Sequence, residues 1–313
     1  AYKKLDKRFA FIGIITLFIP ILILPYYSVI GGWVMKYLFE YLRGNAQVLA
    51  QEQYFTNFTL NAPSMEIWFL LFAVCVVVVI MAGVEHGVEK VSKIMMPLLV
   101  ILAIFVAIYS VTRPGAMEGV KYFLLPDISN FSWMTVVAAM GQMFYSLSIA
   151  MGILYTYGSY IGKDVDIEQS TKQVEVFDTG IALLAGLMII PAVFAFSGGA
   201  PETLQAGPAL MFITIPKVFA SMGMGTPVGI MFFLMVFFAA LTSAISLMET
   251  SVSTITDQFG LNRKASILLM GVMLVVLGSG SALGFNVLDF IKPFGMSILD
   301  FFDFLTNSVM MPL

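Results

Sequence analysis

The sequence predicts an all-α polytopic membrane protein, and three observations carry that prediction. Of its 313 residues 59% are hydrophobic and 11% charged, with a mean hydropathy of +0.94, more apolar surface than one water-soluble globule can hide. The apolar residues come in unbroken runs such as "LLFAVCVVVVIMAG" and "IMFFLMVFFAALTSAI", without the period-two alternation of a membrane barrel, so the runs are helices. Lys and Arg fall mostly at the ends of these runs, where a membrane helix meets water. A net charge of −3 offers no basic field to nucleic acid, so no such partner is expected. The single Cys75 excludes an internal disulfide framework and a cysteine metal cluster.

A hydrocarbon core of about 30 Å takes roughly 20 helical residues, which sets the count. Seven full spans fit, near residues 9–30, 67–84, 94–111, 133–157, 179–196, 228–252 and 265–277, and an eighth begins near Ile298. With a cytoplasmic start, alternate connections place Lys3, Lys4, Lys7, Arg8, Lys90, Lys93, Lys163, Lys172, Arg263 and Lys264 inside. The smaller set outside is Lys36, Arg43, Arg113, Lys121, Lys217 and Lys292, which is the asymmetry expected of that orientation. The chain opens on "AYKKLDKRFAF" and stops at "SVMMPL" within an apolar stretch, and it reads as the middle of a longer protein.

Two connections carry information. "SGGAPETLQAGPALMFITIPKVFASMGMGTP" is too polar and too rich in Gly and Pro to span, yet part of it is amphipathic. It reads as a re-entrant hairpin capping the outer face, or as a loop with a surface helix. "GVEKVSKIMMP" spaces Gly87 and Pro97 ten residues apart at the cytoplasmic start of a span. Proline removes a ladder bond and glycine tolerates unwinding, so this helix end is a candidate for opening. The sequon at Asn57 and the lone His86 beside this motif carry no functional weight.

The polar residues inside the spans carry the chemistry. "FYSLSIAMGILYTYGSY" puts Ser146, Ser148 and Gly152 in mid-span, where small and polar residues suggest a break that lines a cavity. Serines bonding back to carbonyls one turn earlier, with Gly152 serving close packing, would give the same pattern. In "FFAALTSAISLMET", Ala239, Thr242, Ser243 and Ser246 recur at helical spacing and form one hydroxyl-bearing stripe, suited either to an oxygen-coordinated cation or to tight helix packing. Asp178 stands at the cytoplasmic third of its span and reads as a cation partner or as a helix N-terminal acid. Glu249, seven residues beyond Thr242, is a further ionisable candidate, binding a proton or pairing with a group on an absent helix.

The segments "PYYSVIGGW", "GQMFYSLSIAMGILYTYGSY", "AGPALMFITIPKVF", "FFAALTSAISL" and "LDFFDFL" together resemble the bacterial amino-acid transporter branch of the neurotransmitter:sodium symporter (SLC6-type) family over essentially all 313 residues. The resemblance implies an inverted five-helix repeat transporter fold, here running from the third helix into the tenth and lacking the first two helices and the C-terminal end. It implies a single transmembrane transporter domain over 1–313, sited in a cell membrane, by expectation a prokaryotic inner membrane. The implied partners are a small amino acid, sodium ions and the lipid bilayer; Na+ is the coupling ion, and neither an organic cofactor nor an enzymatic reaction is implied.

Residue by residue, the resemblance assigns Tyr27 to the substrate carboxylate and Ile23 to the substrate side chain. Tyr145 stands where the family has an aromatic lid, usually Phe, and Ser148, Ile149, Ala150 and Met151 match the unwound loop, with Ala244 and Leu247 closing the far wall. Ser146 and Asp178 match the first sodium site, Asp178 replacing the commoner Asn, which suggests chloride-independent transport. Ala239, Thr242 and Ser243 match the second sodium site, and Ser146 and Ser243 also border the substrate. Asp303 matches the outer gate and Gln142 the residue steadying it, while Asp257 and Tyr160 match the inner gate network. The implied function is sodium-coupled symport of a hydrophobic or aromatic amino acid by alternating access. A proton-coupled carrier using Glu249 or Asp178 is the alternative. An intramembrane hydrolase is disfavoured by one His, one Cys and no HExxH or GxSxG motif.

Overall fold

The computed structural model describes residues 10–126, 128–197 and 207–312, and among these every regular element is a helix. Eleven are used here: α1 Ala10–Leu42, α2 Ala62–Met81, α3 Lys90–Val111, α4 Ala116–Leu124, α5 Trp133–Ser146, α6 Ile153–Tyr160, α7 Ile167–Ser197, α8 Ile215–Ser221, α9 Gly225–Phe259, α10 Arg263–Leu283 and α11 Ile298–Asp303. Six helical stretches are long and apolar enough to cross a membrane: Phe11–Leu42, Ala62–Met81, Val84–Val111, Ile167–Ser197, Gly225–Phe259 and Arg263–Leu283. The remaining expected span, near 133–157, is divided into α5 and α6. Lys3, Lys4, Lys7 and Arg8, on which the orientation leaned, lie outside the described residues.

Several helices outrun the spans expected of them, because hydropathy marks only the stretch in hydrocarbon while backbone hydrogen bonds continue into the interface. α7 begins at Ile167 rather than near 179, so Asp178 lies eleven residues beyond the helix start, about three turns in. The reading of Asp178 as an N-terminal acid is therefore corrected, since the dipole effect fades within the first turn.

α1 occupies the centre of the bundle and packs against α9, α2 and α10. Small residues let the backbones close up, as membrane packing requires. A side chain added at Gly32 would place its Cβ 2.7 Å from the Phe69 amide nitrogen and 2.8 Å from the Trp68 carbonyl. α3 lies between α9 and α7, and α7 also carries α4. α5, by contrast, buries none of its residues within this chain.

Among the described residues three π-helical turns interrupt the ladders, at Val84–Glu89, Leu210–Thr214 and Phe304–Met310. In the second, the Tyr37 hydroxyl of α1 donates to the Phe212 carbonyl at 2.8 Å, among the rings of Trp33, Phe55 and Phe233. This turn and α8 are the described part of the expected hairpin; residues 198–206 lie outside it. The π-turn and α8 sit on the aromatic end of α1 and α9, with Gln47 donating to the Ala220 carbonyl at 3.3 Å. Gly87 falls in the first π-turn, where a Cβ would meet the Val79 carbonyl at 2.1 Å, and His86 beside it is exposed.

The approach of α1 to α2 gives a direct test. Gly32→Val should lower the thermal midpoint of the detergent-solubilised protein by the equivalent of about 3 kcal/mol, because backbone atoms cannot yield. Trp33 and Trp68 flank the contact and report it by fluorescence. Gly280→Ala, whose Cβ meets nothing within 4 Å, should leave the midpoint unchanged or raise it.

Candidate functional site

The predicted break is present, and its geometry is more extreme than the pattern of small residues implied. α5 stops at Ser146 and α6 starts at Ile153. Between them Ser148, Ala150 and Gly152 take left-handed φ values of +55°, +69° and +77°. For Ser and Ala such a backbone costs about 1–2 kcal/mol each, so it persists only where surrounding contacts hold it. The amides of Leu147, Ser148 and Ile149 fold back onto Met143, Tyr145 and Phe144 and close α5. Among the described residues the amides of Ala150, Met151 and Gly152 reach no backbone carbonyl, so they are free to meet a ligand. Gly152 faces Thr16 and Thr250, which would stand 3.2 and 3.3 Å from a Cβ there. Pro20 lacks the amide that would otherwise bond Thr16, so the α1 ladder is loosened at the same level.

The break opens on a cavity of about 780 Å³. It brings together most of the residues expected to bind substrate: Ile23 and Tyr27 of α1, Tyr145, Ser146, Ser148 and Met151 at the break, and Ser243 and Leu247 of α9. Thr242 and the gate candidates Gln142 and Tyr160 line it too. The Tyr27 and Ser243 hydroxyls interact across it, and Tyr157 and Ser246 stand 2.8 Å apart. Thr242 donates to the Phe238 and Ala239 carbonyls at 2.9 and 3.1 Å, which leaves its oxygen lone pairs to accept from, or ligate, something else. The two ends of the Val84–Glu89 turn and the start of α3 complete the wall through Val84, Val88, Glu89 and Ser92. No sequence signal separated these four from ordinary interfacial residues.

Other expected site residues stand off the cavity. Ile149 and Ala150 are half-buried in the loop, Ala244 is fully buried in the core, and Ala239 packs partly buried against it. Ala244, expected on the far wall, is fully buried in the core and does not line this cavity. Asp178 is reached from the break, its Oδ1 accepting from the Ser146 hydroxyl at 2.6 Å. A serine and a carboxylate so joined offer a cation several oxygens at one point.

The gate candidates sort differently from expectation. Asp303 accepts from the Tyr26 hydroxyl at 3.1 Å and from Asn307 at 2.6 Å, a contact missed because Tyr26 and Tyr27 differ only by their 100° offset on α1. Tyr160 does not meet Asp257, which is exposed near the end of α9; its hydroxyl donates instead to Glu249 Oε1 at 2.8 Å. Glu249, with none of its side chain exposed, is gripped by Arg263 through two bonds of 2.8 and 2.7 Å. Arg263 also reaches the Ile80 carbonyl of α2 at 3.3 Å. The reading of Glu249 as awaiting a group on an absent helix is thus corrected: its partner lies on the next helix of this chain, across the short α9–α10 turn. A lone acid and a lone base on adjacent membrane helices were the available signal.

A helical membrane protein with a strained break, a cavity beneath it and neutral oxygens aligned on the facing helix has the architecture of a solute carrier. The comparisons agree: residues 47–312 match the Sodium:neurotransmitter symporter family, and the chain belongs to it. An uncharacterized sodium-dependent transporter of Bacillus subtilis, YhdH, is 36% identical over 100% of this chain and 69% of its own length. A counterpart in Haemophilus influenzae is 32% identical over 98% of this chain and 68% of its own. The crystal structure of MhsT in complex with L-phenylalanine superposes with a TM-score of 0.83 at 38% identity, covering 96% of this chain and 68% of that one.

The Glu249–Arg263 pair yields a prediction about stability. Arg263→Met strands a buried carboxylate and should destabilise by about 3 kcal/mol, somewhat less than for a fully enclosed pair because the arginine is partly exposed. The double variant Arg263→Met/Glu249→Leu should recover most of the loss in a thermal melt. Equal losses in single and double variants would contradict the pairing.

Proposed function

We propose that this protein carries a hydrophobic or aromatic amino acid across a cell membrane, coupled to sodium entry, by alternating access. The observation that carries the reading is the break at 147–152, where the amides of Ala150, Met151 and Gly152 reach no backbone carbonyl beside a cavity lined by Met151, Tyr27, Thr242 and Ser243. A substrate carboxylate suits the Tyr27 hydroxyl and the unpaired amides. The apolar surface of Ile23, Met151 and Leu247 suits a hydrophobic side chain, and Tyr145 stands where it can cover it. The bound L-phenylalanine of MhsT is in keeping with such a substrate.

Two cation positions are assigned. Ser146 and Asp178 form the protein part of one, and the carbonyl of Ala239 with the hydroxyls of Thr242 and Ser243 forms the other. Hard cations favour such oxygen sets, and desolvation in the cavity strengthens their attraction to a zwitterion. Gln142 and Asp303 act at the outer side, Tyr160 with Glu249 and Arg263 at the inner, and Asp257 beyond them. The start of the chain faces the cytoplasm of a prokaryotic cell, residues 1–313 acting as one transport domain.

Binding of tritiated phenylalanine to the full-length protein should require sodium and fail in choline or potassium. Thr242→Ala or Ser243→Ala should raise the half-saturating sodium about tenfold, roughly 1.4 kcal/mol. Uptake should persist when gluconate replaces chloride, Asp178 supplying the anion. Uptake driven by a pH gradient in sodium-free buffer would instead indicate proton coupling. Gly87→Leu cannot be accommodated against the Val79 carbonyl and should slow sodium release in stopped-flow measurements without abolishing equilibrium binding.

A further inference from the structure

A second hollow lies away from the transport cavity, on the outer surface of the bundle between α2 and α10. It is a groove of about 590 Å³, lined by apolar side chains except at one end, where Lys264 stands. Its floor is closed by Ala73 and Leu274, 3% and 0% exposed, and its rims are formed by exposed valines on both helices. Gly271 lies within it as a glycine with no packing reason to be one: it has a negative φ, and a Cβ there would meet no atom within 4 Å. Glycine in mid-helix costs about 1 kcal/mol relative to alanine, and here it leaves an open hollow rather than a close helix contact.

We propose that this groove holds an anionic glycerophospholipid, one acyl chain lying between α2 and α10 and the phosphate meeting Lys264. Both helices are long and apolar enough to cross a membrane, and the exposed valines along the groove suit an acyl chain. From Leu70 to Met81 the α2 wall runs eleven residues, about 16 Å, which matches one leaflet of a core about 30 Å thick. The charged end coincides with the membrane surface, because Lys264 occupies the first turn of α10, next to its N-cap Asn262.

Charge selects the headgroup. Arg263 is committed to Glu249, whereas among the described residues Lys264 forms no ion pair. Its exposed ammonium can snorkel to a phosphate while its stem lies on the groove. The N-terminal dipole of α10 adds to the attraction, and basic pockets between membrane helices at the cytoplasmic surface favour anionic lipid.

The experiment is native mass spectrometry of the full-length protein, delipidated and then offered equal amounts of palmitoyl-oleoyl phosphatidylglycerol and phosphatidylcholine. Phosphatidylglycerol should be retained preferentially, and Lys264→Gln should cut that preference about fivefold, the worth of one basic residue near a membrane surface. Gly271→Leu, which fills the hollow and improves helix propensity, should reduce retention of both lipids, as should Val272→Phe on the exposed rim. Inorganic phosphate should not compete. Equal retention of the two lipids by the parent protein, or retention insensitive to both groove-filling variants, would overturn the proposal. The latter result is also the one expected if another protein segment or a second copy covers the groove.

Discussion

The constraint on which the structure depends is that hydrocarbon offers a peptide group no hydrogen bond. Each backbone group freed inside the membrane costs several kcal/mol unless the protein meets it. At three interruptions among the described residues, a partner or a polar cavity stands beside the break. The π-turn at Leu210–Thr214 has the Tyr37 hydroxyl on its Phe212 carbonyl. Pro191 in α7 is accompanied by the Ser110 hydroxyl donating to the Met188 carbonyl at 2.8 Å. At 150–152 the amides reach no backbone carbonyl among the described residues, and a cavity lined by hydroxyls lies alongside. That contrast separates an interruption closed by protein from one that opens on a cavity.

The same economy governs the acids. Asp178 is met by Ser146, Asp303 by Tyr26, Glu249 by Tyr160 as well as Arg263, and Glu66 by Ser279. A hydroxyl donates a hydrogen bond to each carboxylate without bringing a positive charge to it. Glu249 is different, since Arg263 neutralises it, and the pair ties α9, α10 and the Ile80 end of α2 together. The two acids proposed as proton carriers on sequence grounds therefore stand in unlike settings, one neutralised by an arginine and one solvated by a serine.

Small residues act in three ways that only their neighbours distinguish. Gly32 admits a helix backbone, Gly152 permits a left-handed turn beside Thr16 and Thr250, and Gly271 leaves space. In the sequence all three are glycines in apolar runs. Likewise Ala239 and Ala244 share a helix with Thr242 and Ser243, yet Ala244 belongs to the core and Ser243 to the cavity.

What the sequence determined by itself was whatever depends on composition and period. Length of apolar runs set the spans, while Ser and Gly in mid-span marked this stretch as either a break or a close-packed helix, a choice that the backbone geometry decided. The hydroxyl stripe on α9 was legible from its helical spacing, and the family from motifs in register. Tertiary structure alone decided which neighbours close each contact: Tyr26 with Asp303, Tyr160 with Glu249 rather than Asp257, and Asp178 three turns inside α7. The physical reason is that hydropathy is a property of single residues and their spacing along one helix. A hydrogen bond between helices depends on their rotation and register, and a turn of 100° is enough to exchange one tyrosine for the next.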